Sequence, residues 1–587
     1  MIDSFLEQAK RGESVYICDV RDALAYQSAA VECVVELTAG APRLYVIPIP
    51  RAGCAEEAEF VKDYFYANIY NLISALGGKS ITLYVKPGDD HIEELCATLD
   101  SVFQVNVPRG ERSGYGKCLN VTDRVNAAMG SPDFRFEIVN GKCDKTFPNP
   151  ASPETDAIAS FVGAVETAGN TALCGMDIGG TDIKAAGTVN GRIKALKEYD
   201  WRPSDMTAID ELIQPIILIT KVVRAALTMP DTDRGNELRA AMLSKDATDE
   251  EMTLAVKDAE NEFGPFILLD GIGVNFPDVV INNKIVGGET PKTQGIRRCS
   301  PDYETEFRRI AALDNMLLEQ CKPGGAVRIA NDGSLAAYTA AVELAHSNRA
   351  AEVANGVFAH TLGTDLGSGW IDECGRIPQI PLELYNCVID LGNYPAREFD
   401  ALDARSTRNF NTGLAGAPQK YAGQSGAYRM ALEYFANEAP ELYQELIDKG
   451  FIETSENGVY ISLSPQDMRK PLLEHIMKLA DGGQAQASRV FREIGKYLAA
   501  IWRETEFILC PCAKRRALFG RFIKRQNCFK MMQEGAKEML DITLDAGDDS
   551  LAFTPLMLDL KNDPVYTVAQ FGQAVGAAYF AAAAIRS

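Results

Sequence analysis

Histidine is nearly absent: His91, His346, His360 and His475 are the only four in 587 residues. No two are close enough for a helical H-x-x-x-H pair, so histidine-rich zinc chemistry has no support. The 14 cysteines contain no C-x-x-C pair, and only Cys510 and Cys512, around Pro511, stand close together. That removes zinc ribbons and thioredoxin-type motifs. A chain this long builds its core without disulfides, and the cysteines read as reduced, mostly buried and cytosolic. Basic residues are in deficit: 59 Lys and Arg against 81 Asp and Glu give a net charge of −22. So acidic a surface argues against nucleic-acid phosphates and anionic membranes as partners, and reads chiefly as solvation. No apolar run reaches the ~18 residues that span a bilayer. The best candidate, 575–585, is short and Ala-rich and reads as a buried helix. The N-terminus lacks a basic segment followed by an apolar one, so no signal peptide is expected.

What is present is ordinary for a soluble globular chain: 46% apolar and 24% charged residues. At roughly 100–200 residues per domain, the length implies about three to five domains or lobes. Residues 1–165 read as a separate α/β unit. Residues 14–20, 44–49 and 81–85 are β-rich runs, and 55–76 carries a helical period. The proline-rich stretch 147–153 is a plausible boundary, followed by a helix over 156–166. Gly77-Gly78-Lys79-Ser80 ends like a phosphate loop, but Ile73 stands where that pattern needs glycine, so a turn is expected. From about residue 170, three glycine-containing strand-turn segments appear, at 173–193, 266–288 and 357–377. Helical stretches follow at 426–449, 468–479 and 484–505. The overall character is α/β.

Three segments carry chemistry. In Asp177-Ile178-Gly179-Gly180-Thr181-Asp182-Ile183-Lys184, a strand enters Asp177 and a second leaves after a tight turn. Glycines let backbone N–H groups approach a phosphate, Thr181 adds a donor, and Lys184 can reach a terminal phosphate. Asp177 can orient hydrated Mg²⁺. The alternative is a plain β-hairpin with a Gly-Gly bulge. The segment Thr361-Leu362-Gly363-Thr364-Asp365-Leu366-Gly367 repeats the design. Two such hairpins from separate lobes would face each other across one triphosphate. Between them, an apolar strand ends at Asn331-Asp332 and a small-residue helix begins. A carboxylate there is placed to accept a proton from a substrate hydroxyl; the alternative is a helix cap.

These segments, with Gly271-Ile272-Gly273-Val274, resemble the ROK family of sugar kinases. That family lies within the ATPase superfamily shared by actin, hexokinase and the heat-shock chaperones. The resemblance covers roughly residues 170–587. It implies a two-lobed, actin-like ATPase fold with ribonuclease-H-like cores, lobes at 166–330 and 331–587, and an additional N-terminal α/β domain at 1–165. It further implies a cytoplasmic ATP-dependent kinase that uses Mg²⁺, with Asp332 as general base on a sugar hydroxyl. Asp177, Gly179, Gly180, Thr181, Lys184, Gly363, Thr364 and Gly367 would hold phosphates. The stretch 507–509, then Leu518-Phe519-Gly520 and a helix, resembles the family's strand-glycine-helix beside adenosine. Asn331, Glu289, Glu383 and Asn386 would meet the substrate. The acceptor and ATP are the implied partners, with a homo-oligomer possible.

The sequence also departs from the family. Glu383 matches its sugar-binding glutamate, but Asn386 stands where histidine is expected, and only Cys387 remains of the cysteine-rich zinc loop. A zinc site is therefore not expected. Asp365 replaces the usual glycine, and Asp182 adds a second acid to the phosphate turns. Either carboxylate would repel a triphosphate unless it points away or meets a cation. Asn275-Phe276-Pro277 replaces the usual Pro-Gly, and Gly287-Gly288-Glu289-Thr290-Pro291-Lys292 occupies a substrate-facing region, where Lys292 can read an anion. Two other readings stay open: a non-catalytic sugar- or nucleotide-sensing regulator on the same scaffold, and an ATPase activator holding an iron–sulfur cluster through Cys510 and Cys512. No helix-turn-helix pattern stands out in residues 1–165, which disfavours a DNA-binding repressor.

Overall fold

The computed structural model describes residues 2–25, 29–147, 156–289, 291–392 and 399–585. Most of the proline-rich break at 147–153 and Thr290 of the glycine-rich segment lie outside these residues.

The N-terminal part builds a four-stranded sheet from β1 (Ala29–Glu36), β2 (Arg43–Ile49), β3 (Ser80–Val85) and β4 (Arg135–Asn140), in the order β2-β1-β3-β4. Helix Ala55–Leu76 forms where its periodicity predicts. Every residue from Tyr64 to Leu76 is buried. A helix apolar all round is one enclosed on every side, and this one lies between its own sheet and the rest of the chain. Residues 14–20 differ from expectation. They do not form a strand but lead into helix Ile17–Leu24, which buries Ile17, Val20, Arg21 and Leu24. Spacings of three and four describe a helical face, and so short an apolar run is ambiguous by sequence.

The next sheet contains β5 (Ala172–Ile178), β6 (Asp182–Val189), β7 (Arg192–Asp200) and β8 (Leu269–Phe276). A short hairpin, β9 (Val280–Ile281) and β10 (Lys284–Ile285), follows, and β11 (Cys321–Asn331) completes the sheet. Its order is β11-β8-β5-β6-β7. The meander β5-β6-β7 is antiparallel, while β8 and β11 add in parallel. A third sheet holds β12 (Val357–Leu362) and β13 (Leu366–Ile371). The hairpin β14 (Ile452–Ser455) and β15 (Gly458–Ile461) stands apart. The third sheet then gains β16 (Arg515–Gly520) and β17 (Thr543–Ala546), in the order β13-β12-β16-β17. It repeats the same plan one strand shorter: an antiparallel pair, then two parallel additions. This duplicated strand order is the one expected of paired ribonuclease-H-like cores.

Helix Asp332–Ala345 starts at the end of β11 and packs on β12 and β13, so it links the two sheets. Helix Val568–Ile585 runs back to the first of them, on β5 and β8. By length and composition it is apolar enough to cross a membrane, and it is longer than the 575–585 segment suggested. Two thirds of it is buried inside the protein. Its alanines fit where the strands carry glycine: a methyl on Gly273 would lie 1.8 Å from the carbonyl oxygen of Ala577.

The 426–449 stretch is two helices, Gln424–Glu438 and Pro440–Asp448. Pro440 starts a new helix because its ring cannot continue the old one. Residues 507–509 end helix Ala485–Leu509, and the strand before Gly520 is β16 alone.

The N-terminal part shares its interior with the second half of the chain. One hydrophobic core runs from Ile2 through Phe134 and on to residues 358–546. Within it, Arg21 and Glu504 form a buried ion pair at 2.8 Å, and Arg21 lies over the ring of Phe507. Asn71 adds a hydrogen bond to the same glutamate.

Candidate functional site

The carboxyl ends of β5, β8 and β11 lie side by side. Asp177 is registered with Asn275, and Asn331 with Phe276. In open α/β sheets this edge is where ligands bind. The ends open onto a cleft of about 470 Å³ whose opposite wall comes from the turn between β12 and β13 and from Gly520 at the end of β16. That volume suits a small-molecule ligand.

Asp332 stands at the start of its helix with its carboxylate in the cleft. Asn331 takes the capping role: its Oδ1 accepts from the N–H of Gly333 at 2.9 Å and of Ser334 at 3.4 Å. Its amide nitrogen donates to the carbonyl of Asp278 at 3.0 Å. Asp332 is thereby spared the cap, apart from a 2.8 Å hydrogen bond that its Oδ1 accepts from Gly333 N–H. The helix start is pressed onto β13. A methyl on Gly369 would lie 1.7 Å from the carbonyl oxygen of Gly333, so glycine at both positions lets the two backbones touch.

The two glycine turns face one another. A methyl on Gly180 would lie 3.9 Å from Thr364 Oγ1 and 3.1 Å from Cε of Lys292. Lys292 therefore sits between the turns. Gly179 and Gly363 close them, donating N–H to the carbonyls of Asp182 at 2.8 Å and Asp365 at 3.1 Å. Thr181, Lys184 and Gly367 also line the cleft.

The two unexpected acids each have a partner. Burial would push up the Asp182 carboxyl, but the Lys184 ammonium pairs with it and holds it below the usual range. Asp365 accepts a 2.6 Å hydrogen bond from Gln419 Nε2; burial still pushes it up.

Asp177 accepts a 2.6 Å hydrogen bond from Asn275 Nδ2. Burial raises it to about 6, against the pull of Lys184. The Oδ1 of Asn275 is buried with no hydrogen-bond partner among the described residues. A carboxylate beside an orphaned amide oxygen is a donor set that suits a hydrated magnesium ion.

A second group of carboxyls lines the same cleft close to Asp332. Asp278 accepts from Val279 N–H at 2.8 Å and Gly288 N–H at 2.6 Å, and burial raises it to about 6. Burial raises Glu383 to about 8. Asn386 donates to Glu383 at 3.0 Å, and its own oxygen accepts from Asn409 at 3.1 Å. Asn386 thus stands behind Glu383 and does not line the cleft. Glu289 is likewise turned aside, paired with Arg124 at 3.0 Å and Arg297 at 3.3 Å.

The structure adds cations that sequence reading passed over. Lys470, Arg521 and Lys524 line the cleft beside the first turn. Lys470 and Arg521 act on Asp182, and burial, Arg521 and Lys184 lower Lys524. Two basic residues fall within four positions of the strand-ending Gly520 in Gly520-Arg521-Phe522-Ile523-Lys524; that spacing was the available signal. Gln573 also reaches the cleft, both its amide atoms buried without hydrogen-bond partners among the described residues.

Solved structures of ROK-family sugar kinases are similar to this chain. A ROK family glucokinase from Streptomyces griseus, in complex with glucose and AMPPNP, is 16% identical; the match covers 69% of this chain and 98% of that one, with a TM-score of 0.40. A ROK hexokinase from Thermus thermophilus is 17% identical over 66% and 98%, with a TM-score of 0.34. An inorganic polyphosphate/ATP-glucomannokinase from Arthrobacter sp. strain KM is 14% identical over 70% and 99%, with a TM-score of 0.31. No family model matches the chain, and no curated protein does. At such identities and TM-scores the likeness assigns no residue a role.

Proposed function

We propose that the protein transfers the γ-phosphoryl group of ATP to a hydroxyl of a sugar or sugar-like acceptor, in the manner of a ROK-type kinase. The observation that carries this reading is Asp332, relieved of capping by Asn331 and lining one cleft with two apposed glycine turns and the carboxyls of Asp278 and Glu383. In this reading residues 166–330 and 331–587 are the two lobes, with helix Val568–Ile585 returning to cover the first sheet.

Asp332 accepts the proton of the acceptor hydroxyl as its oxygen attacks the γ-phosphorus. The bond from that phosphorus to the β–γ bridging oxygen breaks, and ADP leaves. The backbone N–H groups of Gly180, Thr181 and Thr364, with the Thr181 and Thr364 hydroxyls, hold the phosphates, while those of Gly179 and Gly363 close the turns. Lys292, Lys470 and Lys524 balance their charge. Lys184 has a different task from the one expected: it neutralises Asp182 and keeps Asp177 more acidic than burial alone would allow. Asp177 and Asn275 would hold magnesium through its water shell, and the ion when bound supplies charge neutralisation on the phosphates. Glu383, held by Asn386, hydrogen-bonds an acceptor hydroxyl, and when protonated it can donate as well as accept.

The test is ADP release measured across hexoses, amino sugars and N-acetyl sugars, with Asp332→Asn as control. The variant should bind ATP normally and turn over roughly 10²–10⁴-fold more slowly. Unchanged turnover would remove Asp332 from the mechanism, and no ADP release with any sugar would remove the kinase reading.

A further inference from the structure

The N-terminal part touches both lobes at the acceptor end of the cleft. On one side, the last turn of helix Ala55–Leu76 carries the Glu383 segment: Leu382 N–H donates to the carbonyl of Ala75 at 2.9 Å, and Glu383 N–H to that of Ser74 at 3.1 Å. Asn71 exchanges two hydrogen bonds with the backbone of Val388, at 2.9 and 2.7 Å. On the other side, helix Cys118–Ala128 packs Val121 and Val125 on Val279, Ile281 and Val286 around the β9–β10 hairpin. Arg124 on that helix pairs with Glu289 and Glu304 and donates to the carbonyl of Gly287. It thereby holds the segment whose Gly288 N–H hydrogen-bonds Asp278.

Between these two attachments lies a recess of about 30 Å³ behind Glu383, which lines both the recess and the main cleft. Ser74, Lys117 and Thr122 of the N-terminal part face it. Thr122 is spent on the carbonyl of Cys118. The Ser74 hydroxyl is not: the residue is 4% exposed, and its Oγ, though near the Tyr70 hydroxyl, has no hydrogen-bond partner of good geometry among the described residues. A buried hydroxyl left without a partner is costly, which makes it a position where a ligand atom is favoured. Lys117 lines the same recess. The space takes roughly one small polar group, since a single water needs about 10–15 Å³. An acetamido group is too large for it.

Building on the kinase reading, we propose that the N-terminal part selects the acceptor, Ser74 and Lys117 receiving one hydroxyl or hydroxymethyl substituent in the recess behind Glu383. Among the described residues, none of this part lines the main cleft itself. Its contribution is therefore confined to acceptor recognition and to holding Glu383 and Asp278 at their distance from Asp332.

The test compares a phosphorylated hexose with its monodeoxy analogues, using wild type, Ser74→Ala and Lys117→Ala. In wild type one analogue should lose about 10–100-fold in kcat/KM, the scale of one hydrogen bond to a buried or charged partner. In either variant that ratio should fall towards one, while KM for ATP stays unchanged. An undiminished ratio in both variants, or a uniform loss over all acceptors, would overturn the proposal. Calorimetric titration of the same analogues separates this idea from the kinase reading. Substituent-dependent binding that both substitutions abolish supports the recess even if no ADP is released. Binding of no sugar at all overturns both.

Discussion

Gln419 Nε2 donates a 2.6 Å hydrogen bond to Asp365 Oδ1, and Gln419 Oε1 in turn accepts from Asn409 at 2.8 Å. A carboxylate inside a phosphate turn is thus tied to a neighbouring segment and drawn towards it. Gln419→Ala releases Asp365 towards the nucleotide. Two like charges about 4 Å apart repel by about 1 kcal/mol even in water, so KM for ATP should rise about fivefold or more. Adding Asp365→Asn should reverse the rise. Initial-rate kinetics on wild type and these two variants measures both effects.

Lys524 and Lys470 form the cationic side of the cleft. Charge-assisted hydrogen bonds contribute about 1.5–3 kcal/mol, so replacing either lysine by alanine should weaken ATP binding by about tenfold or more. Acceptor binding should not change. Equilibrium titration with a non-hydrolysable ATP analogue, beside a titration with acceptor, gives the comparison. Equal loss for both ligands would mean a general disturbance of the cleft.

Glu504→Gln leaves Arg21 buried without its counter-charge. Removing one member of a buried pair costs about 3–5 kcal/mol. Because the pair sits in a core shared by the N-terminal part and residues 358–546, a single unfolding transition should move to lower denaturant concentration. Two separated transitions, with only the first shifted, would show that the N-terminal part folds alone.

Glu383 is held near pKa 8 by burial, far above the ordinary range for an unfolded glutamate. Between those two values the folded protein binds a proton that the unfolded chain has released. Stability therefore falls as pH rises from about 4.5 to 8 on account of this group. Glu383→Gln should flatten that part of the stability profile, and urea midpoints read at half-unit steps of pH would show it. A profile parallel to wild type would remove the assigned burial.

Much of this was legible in the sequence because it rests on backbone chemistry. Gly179-Gly180-Thr181 and Gly363-Thr364 become turns since little else fits there, and the strand ending at Asn331-Asp332 is marked by the small-residue helix behind it. Helix Ala55–Leu76 was equally readable from its period. What stayed hidden depends on contacts between distant residues. Nothing near Asp365 announces Gln419, which is 54 positions away. Asn386 and Glu289 are polar and fall in the right region, yet each is claimed by a neighbour that only the fold brings close. Residues 14–20 failed for another reason: a short apolar run satisfies two periods, and Glu504, which settles the matter, lies 483 positions from Arg21.

Helix Val568–Ile585 covers the face of β5 and β8, strands made some 300–400 positions earlier. On the ribosome, that face stays bare while the whole of the other sheet is synthesised. The N-terminal part waits as well, because its core is completed by residues as late as 546. Early segments of this chain therefore spend most of its synthesis with apolar surface uncovered, a period in which chaperone binding competes with aggregation.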